Sequence, residues 1–221
     1  MIFNKNLKIQ NKEISPTSPT FVIAEAGVNH GGDMSVAKKL IDLASDAGAD
    51  AVKFQTFRAE HLILDSVKKA PYQQKTTEAT ESQMDMLKKL EVTREQNLEL
   101  KKYCEEKNII FLTTPFDENS LDEIDELDLP AYKIASTDTT NLPFLKKVAQ
   151  KGKPIFLSTG MTYLSEVQMA LETIYEHNKD VVLLQCTANY PIGDDEANLA
   201  VIDTFKKHFD TSKCFFAIDI K

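Results

Sequence analysis

The sequence predicts an α/β fold of the (β/α)8, TIM-type barrel class, and three observations predict it. Short apolar runs rich in β-branched residues alternate with segments of helical spacing, which argues for βα units and a parallel sheet. Seven such runs occur, too many for a small doubly wound unit, and no G-x-G-x-x-G phosphate loop accompanies them. Polar and charged residues recur at the C-terminal ends of the runs, where a barrel builds its sites. A full barrel takes about 250 residues, so an incomplete one with about six to seven strands is expected.

The elements follow in chain order. "LKIQNKEIS" reads as a small β-hairpin turning at Asn11-Lys12, and a Pro/Ser/Thr linker, "SPTSPT", follows it. Residues 1–20 are thus an N-terminal hairpin and linker, and residues 21–221 the barrel domain. The strand runs are "FVIAEAG", "AVKFQTF", "IIFLTTPF", "YKIAS", "PIFLSTG", "VVLLQCTANYP" and "CFFAIDI". Between them, "DMSVAKKLIDLASDAG" places Ala37, Leu40, Ile41 and Ala44 on one helical face, with Gly48 as a stop. "TREQNLELKKYCEEKN" opens on a capping box, Thr93 with Gln96. Asn141 reads as an N-cap with Pro143 in the first turn. "LSEVQMALETIYEHN" and "NLAVIDTFKKHF" are further amphipathic helices. Residues 58–92 are irregular. They are long and polar for a βα connection, and a long excursion at the ligand-binding end is usually functional.

Composition narrows the function classes. The chain is 42% hydrophobic and 27% charged, ordinary for a globular protein. A net charge of −8 argues against a general nucleic-acid binder, which presents a basic face to phosphates. No apolar run approaches the roughly 20 residues that span a bilayer, and the start lacks the apolar core of a secretory signal. A cytoplasmic location is therefore expected. Cys104, Cys186 and Cys214 are widely spaced and form neither a disulfide framework nor a metal knuckle.

The strand ends carry the chemistry. Glu25 closes an apolar run, and a carboxylate there needs a reason. Lys53 and Gln55 are two apart in a strand and point to the same side. Later runs end in Thr113 and Thr114, in Lys133, Ser136 and Asp138, in Ser158, Thr159 and Gly160, and in Thr187, Asn189 and Tyr190. Two lysines with several hydroxyls suit an oxyanion, most readily phosphate. Glu25 and Asp138 offer carboxylates for acid–base work or for a divalent cation. Residue types alone thus point to a phosphorylated small anion and a polyol or carbonyl partner. His30, in "GVNHGG", is open between a loop-structural role, a substrate contact and a metal ligand. His61, His177 and His208 are read as solvated.

"IAEAGVNHGGD", "AGADAVKFQTF", "TTPFD", "YKIAS", "KPIFLSTGM" and "LLQCTANYP", in this order and spacing, resemble the N-acetylneuraminate (sialic acid) synthase family, which includes pseudaminic and legionaminic acid synthases. The resemblance runs over residues 7–210, and "APYQ" in the excursion shares it. It implies a transferase that condenses phosphoenolpyruvate with an N-acetylated amino sugar, such as N-acetylmannosamine, using a divalent metal (Mn or Mg). Carried over by position, Lys53, Thr114, Lys133, Ser136 and Ser158 would cradle phosphoenolpyruvate. Glu25 and Gln55 would lie on the acceptor side with Tyr190 nearby, Tyr72 would bind substrate, and Asp138 would stand next to the metal.

The departures from that family are also informative. Ala188, followed by Asn189, stands where some members have Asn directly after Cys-Thr. The family's seventh strand ends in a Gly-x-Ser-Asp-His motif with a second His beyond it, whereas this region reads "DTSKCFFAIDIK". The comparison implies a barrel lacking its last strand and the family's C-terminal antifreeze-like domain, with weakened metal binding and impaired turnover. A barrel open at that edge is prone to assembly, and any homo-oligomer would use the barrel's own surface. Two alternatives stay open: an inactive fragment that binds phosphoenolpyruvate or a partner, and another barrel enzyme, such as an aldolase with a Schiff base on Lys53 or Lys133.

Overall fold

All seven predicted runs form strands in the computed structural model, which describes residues 1–64, 66–67, 81–188, 192–209 and 215–218. They pair in parallel throughout, as βα alternation requires. The chain divides into two compact units, residues 22–127 and residues 1–21 with 128–221, and each holds one parallel sheet.

The chain opens with the expected hairpin, β1 (Leu7–Ile9) and β2 (Lys12–Ile14). Leu7 pairs with Ile14 and Ile9 with Lys12, so the turn is Gln10-Asn11, one residue earlier than expected. Gln10 takes the left-handed conformation there, with φ of +53°. The segment belongs to the unit formed with residues 128–221. Phe3 meets Tyr175 edge-on at 5.2 Å, and the Asn4 amide donates to Asp180 at 2.6 Å.

In residues 22–127 the order is β3 (Ile23–Gly27), α1 (Met34–Asp46), β4 (Ala51–Thr56), α2 (Ala59–Leu62), α3 (Gln83–Lys88), α4 (Arg94–Glu106), β5 (Ile110–Pro115) and α5 (Glu118–Asp125). The sheet runs β3-β4-β5. Asp33 caps α1 by accepting from the Ser35 backbone N–H at 2.7 Å. Ala37, Ile41 and Ala44 are buried as the spacing predicts, and Leu40 is half-buried. The capping box of α4 is present on both sides: Thr93 N–H donates to Gln96 at 2.8 Å, and Gln96 N–H to Thr93 at 3.2 Å. The excursion contains two short helices, α2 and α3, where the sequence suggested only irregular chain. Residues 65 and 68–80 of it lie outside the described residues, Tyr72 and Gln73 among them.

Helix α5 was not anticipated. It carries few apolar residues, but Leu121 and Ile124 are buried and Asp117 caps it. Asp117 accepts from the Ser120 backbone and hydroxyl at 2.9 and 2.6 Å and from the Arg58 backbone at 3.2 Å. Burial would raise this carboxyl, but these hydrogen bonds, with His61 at 3.3 Å, hold it below the usual carboxylate range. Asp117 therefore ties the chain leaving β4 to the start of α5. His61, His177 and His208 are all exposed.

The other unit continues with β6 (Tyr132–Ile134), a 3-10 turn over Ser136–Asp138, α6 (Leu142–Gln150), β7 (Ile155–Ser158), α7 (Leu164–Tyr175), β8 (Val181–Gln185), a second 3-10 turn over Asp194–Glu196, α8 (Val201–His208) and β9 (Phe215–Ile218). Its sheet runs β6-β7-β8-β9. Asn141 caps α6 by accepting from Phe144 N–H at 3.4 Å, with Pro143 in the first turn. Helices α6 and α7 bury Phe144, Leu145, Val148, Val167, Leu171 and Ile174, the apolar stripes that cover the strands. Among the described residues no helix is long and apolar enough to cross a membrane.

Candidate functional site

Register decides which strand-end side chains share a face. In β4, Lys53 pairs with Glu25 of β3, and Gln55 with Thr114 of β5, so these four lie on one face of the sheet. Val52, Phe54 and Thr56 point the other way. On that side the Asn97 amide of α4 donates to Thr56 at 3.0 Å, and Thr56 and Thr113 share a hydrogen bond of 2.8 Å. Thr113 is therefore not a partner of Thr114 but part of a buried tie between helix and sheet.

His30 also belongs to the helix side. Its ring lies 6.2 Å from that of Phe54, and the residue is only 2% exposed. Nδ1 accepts from Gly32 N–H at 3.0 Å, which places the proton on Nε2, a buried atom with no partner. Burial lowers its pKa and keeps the ring neutral. Of the readings open in the sequence, the loop-structural one fits.

The face with the site residues is built around a bulge. Pairing shifts between Glu25 and Gly27, and Gly27 takes φ of +53°. A Cβ on Gly27 would stand 2.9 Å from Glu25 Oε1 and 3.7 Å from Gln55 Nε2. The missing side chain thus leaves room for the carboxylate. Glu25 Oε2 forms an ion pair with Lys53 Nζ, and the lysine is nearly buried. Pairing is what makes a buried ammonium tolerable. The second carboxylate oxygen, Oε1, is buried with no hydrogen-bond partner, and so is the Thr114 hydroxyl. A buried polar atom left unpaired is costly unless something binds to it.

In the other unit, Lys133 pairs in register with Phe156, and Ser158 lies two residues further along that same face of β7. Lys133 is 4% exposed. Ser158 is buried, and its hydroxyl too has no partner. The loops leaving β6 and β7 are pinned to their neighbours. The Thr139 hydroxyl donates to the Ser158 carbonyl at 2.5 Å, the Thr159 hydroxyl to the Leu184 carbonyl at 2.9 Å, and Gly160 N–H to Ser136 Oγ at 2.9 Å. Asp138, half-buried, accepts from the Thr137 hydroxyl at 3.2 Å. The Thr187 hydroxyl donates to the Glu196 carbonyl at 3.0 Å and is committed to its own loop. Asn189 and Tyr190 lie outside the described residues.

Sequence reasoning named the strand-end residues, Thr159 among them, but missed two that hold the site in place: Gly27 and Thr139. For Thr139, the polar turn that follows β6 was the available signal. Nothing in the sequence marked Gly27 apart from its Gly-rich surroundings. The cysteines behave as expected, with Cys104 and Cys186 free. Burial, with a smaller push from Glu105, drives the Cys104 thiol up to about 12, so it stays protonated. Cys214 lies outside the described residues.

Parallel βα units with a charged and hydroxylic set at the C-terminal strand ends define a protein of the barrel class, with side chains suited to a small anion. The NeuB family matches residues 40–215, and the chain belongs to that family. It is 48% identical over 193 residues to the N,N'-diacetyllegionaminic acid synthase of Campylobacter jejuni, covering 86% of this chain and 58% of that one. Over 210 residues it is 40% identical to the enzyme of the same name from Legionella pneumophila, covering 92% of this chain and 59% of the other. The crystal structure of N-acetylneuraminic acid synthetase from Leptospira borgpetersenii in complex with citrate superposes with a TM-score of 0.81 at 32% identity, covering 99% of this chain and 70% of that one. The fold is thus that of an incomplete TIM-type barrel, with seven parallel strands among the described residues. The chain spans a little over half the length of these curated relatives.

Proposed function

We propose that this chain carries substrate-binding strand ends of a synthase that condenses phosphoenolpyruvate with an N-acetylated amino sugar, giving a nonulosonic (sialic-type) acid and phosphate. Membership of the NeuB family, with relatives named as legionaminic acid synthases, supports the reaction class. The observation that carries the assignment of residues is a set of buried oxygens without partners. Glu25 Oε1, Thr114 Oγ1 and Ser158 Oγ all stand at positions that the resemblance gives to substrate.

In this reading Lys53, Thr114, Lys133, Ser136 and Ser158 bind phosphoenolpyruvate, and Glu25 and Gln55 serve the sugar, together with Tyr72 and Tyr190. C3 of phosphoenolpyruvate attacks the sugar aldehyde carbon, and the carbonyl oxygen takes up a proton. Water adds at C2 and loses a proton. The tetrahedral intermediate then expels phosphate by C–O cleavage. Lys53 and Lys133 neutralise carboxylate and phosphate as charge moves onto the leaving group. Glu25 takes up the proton that the water loses, which its unpaired Oε1 can accept. An amine already engaged by a carboxylate, as Lys53 is, is not a ready nucleophile, and this favours the synthase over a Schiff-base aldolase.

The family resemblance implies a divalent cation that polarises the aldehyde, with Asp138 beside it. Among the described residues no three His, Cys, Asp or Glu side chains gather into a group that could hold a metal. The described residues therefore do not assemble a centre around Asp138.

Glu25→Gln tests the reading. The amide keeps an acceptor at the same place but cannot take a proton. Turnover, followed as phosphate release in the presence of the amino sugar, should fall by roughly a hundredfold or more while the circular dichroism spectrum is unchanged. Full activity in this variant refutes the role.

A further inference from the structure

We infer that Gly160 is a positioning residue for anion binding: its N–H fixes the Ser136 hydroxyl as a donor, and its missing side chain keeps that hydroxyl in place. The inference rests on the proposal that Ser136 binds phosphoenolpyruvate.

Three strand ends meet at this glycine. A Cβ built on it would stand 3.0 Å from Ser136 Oγ, 3.1 Å from the Cys186 Cβ and 3.2 Å from the Cys186 carbonyl oxygen. Ser136 follows β6, Gly160 follows β7 and Cys186 follows β8. Apart from the serine hydroxyl itself, these neighbours are a Cβ and a backbone oxygen, which have little freedom to move. A methyl group could be accommodated only by shifting the serine hydroxyl or the backbone after β8.

The hydrogen bond sets polarity as well as place. Gly160 N–H donates to Ser136 Oγ at 2.9 Å, so the oxygen is used as an acceptor. Its own proton is thereby left to be donated outward, the polarity an anion requires. The frame around the pair is stiff. Thr139 ties the turn after β6 to the Ser158 carbonyl, and Thr159 ties the end of β7 to the Leu184 carbonyl. Backbone strain does not confuse the argument, because Gly160 is not among the glycines with positive φ.

A double-mutant cycle on the full chain, read by calorimetric titration of phosphoenolpyruvate, tests the inference. Ser136→Ala removes a hydrogen bond to a charged group and should weaken binding roughly ten- to a hundredfold. Gly160→Ala should weaken it about tenfold, with the thermal midpoint little changed. Combined with Ser136→Ala, it should add nothing further, because the glycine acts through the hydroxyl. Full additivity, or wild-type affinity in Gly160→Ala, overturns the inference. Wild-type affinity in Ser136→Ala instead overturns the binding assignment beneath it.

Discussion

At the scale of single residues, the interior of this protein holds polar atoms of two kinds, and their surroundings separate them. Glu25 Oε1, Thr114 Oγ1 and Ser158 Oγ belong to strand ends whose neighbours are charged or hydroxylic. His30 Nε2 is also unpaired, but its ring lies against Phe54 on the helix side of the sheet. The histidine should therefore report on stability. Its folded pKa lies below the ordinary 6.5, so between those two values the unfolded chain binds a proton that the folded chain refuses. Stability is fully present above pH 6.5 and is lost as pH falls toward the folded value. The thermal midpoint of wild type should accordingly drop more steeply than that of His30→Gln between about pH 7 and about pH 5. Parallel slopes would show that His30 does not titrate in this way.

At the scale of elements, the glycines separate backbone geometry from side-chain space. Gly27 ends β3 at φ +53° with Glu25 Oε1 where a Cβ would go, and Gly48 follows α1 at φ +78° with nothing within 4 Å. Both alanine variants carry the left-handed penalty, about 1 kcal/mol by urea titration. Gly27→Ala should be measurably worse than Gly48→Ala and should also lower activity. Equal stabilities with intact activity would mean that the bulge does not set the position of Glu25. The same elements show what the sequence could and could not reveal. Short apolar runs rich in β-branched residues made the strands legible, and the alternation of side chains along a strand puts Thr113 and Thr114 on opposite faces of β5. Helix α5 escaped because Leu121 and Ile124 are too few to make a periodic stripe, and its start is fixed instead by the Asp117 cap. The hairpin turn fell one residue early because Gln10, not Asn11, adopts the positive φ. The pins from Thr139, Thr159 and Gly160 join residues 19 to 25 apart in sequence, which no local pattern encodes.

At the scale of the molecule, a net charge of −8 makes the surroundings repel a multiply charged anion, so the nearly buried lysines must supply the attraction locally. Lys53 is in one compact unit and Lys133 in the other. Fold and family rest on matches that extend over most of the chain. The central claim is that these strand ends serve a reaction joining phosphoenolpyruvate to an amino sugar. Phosphate release, measured with phosphoenolpyruvate, N-acetylmannosamine and manganese, each left out in turn, tests it most directly. The account predicts phosphate only when phosphoenolpyruvate and the sugar are both present. Phosphate from phosphoenolpyruvate alone would contradict it, as would a folded chain that neither releases phosphate nor gives a heat of binding with phosphoenolpyruvate.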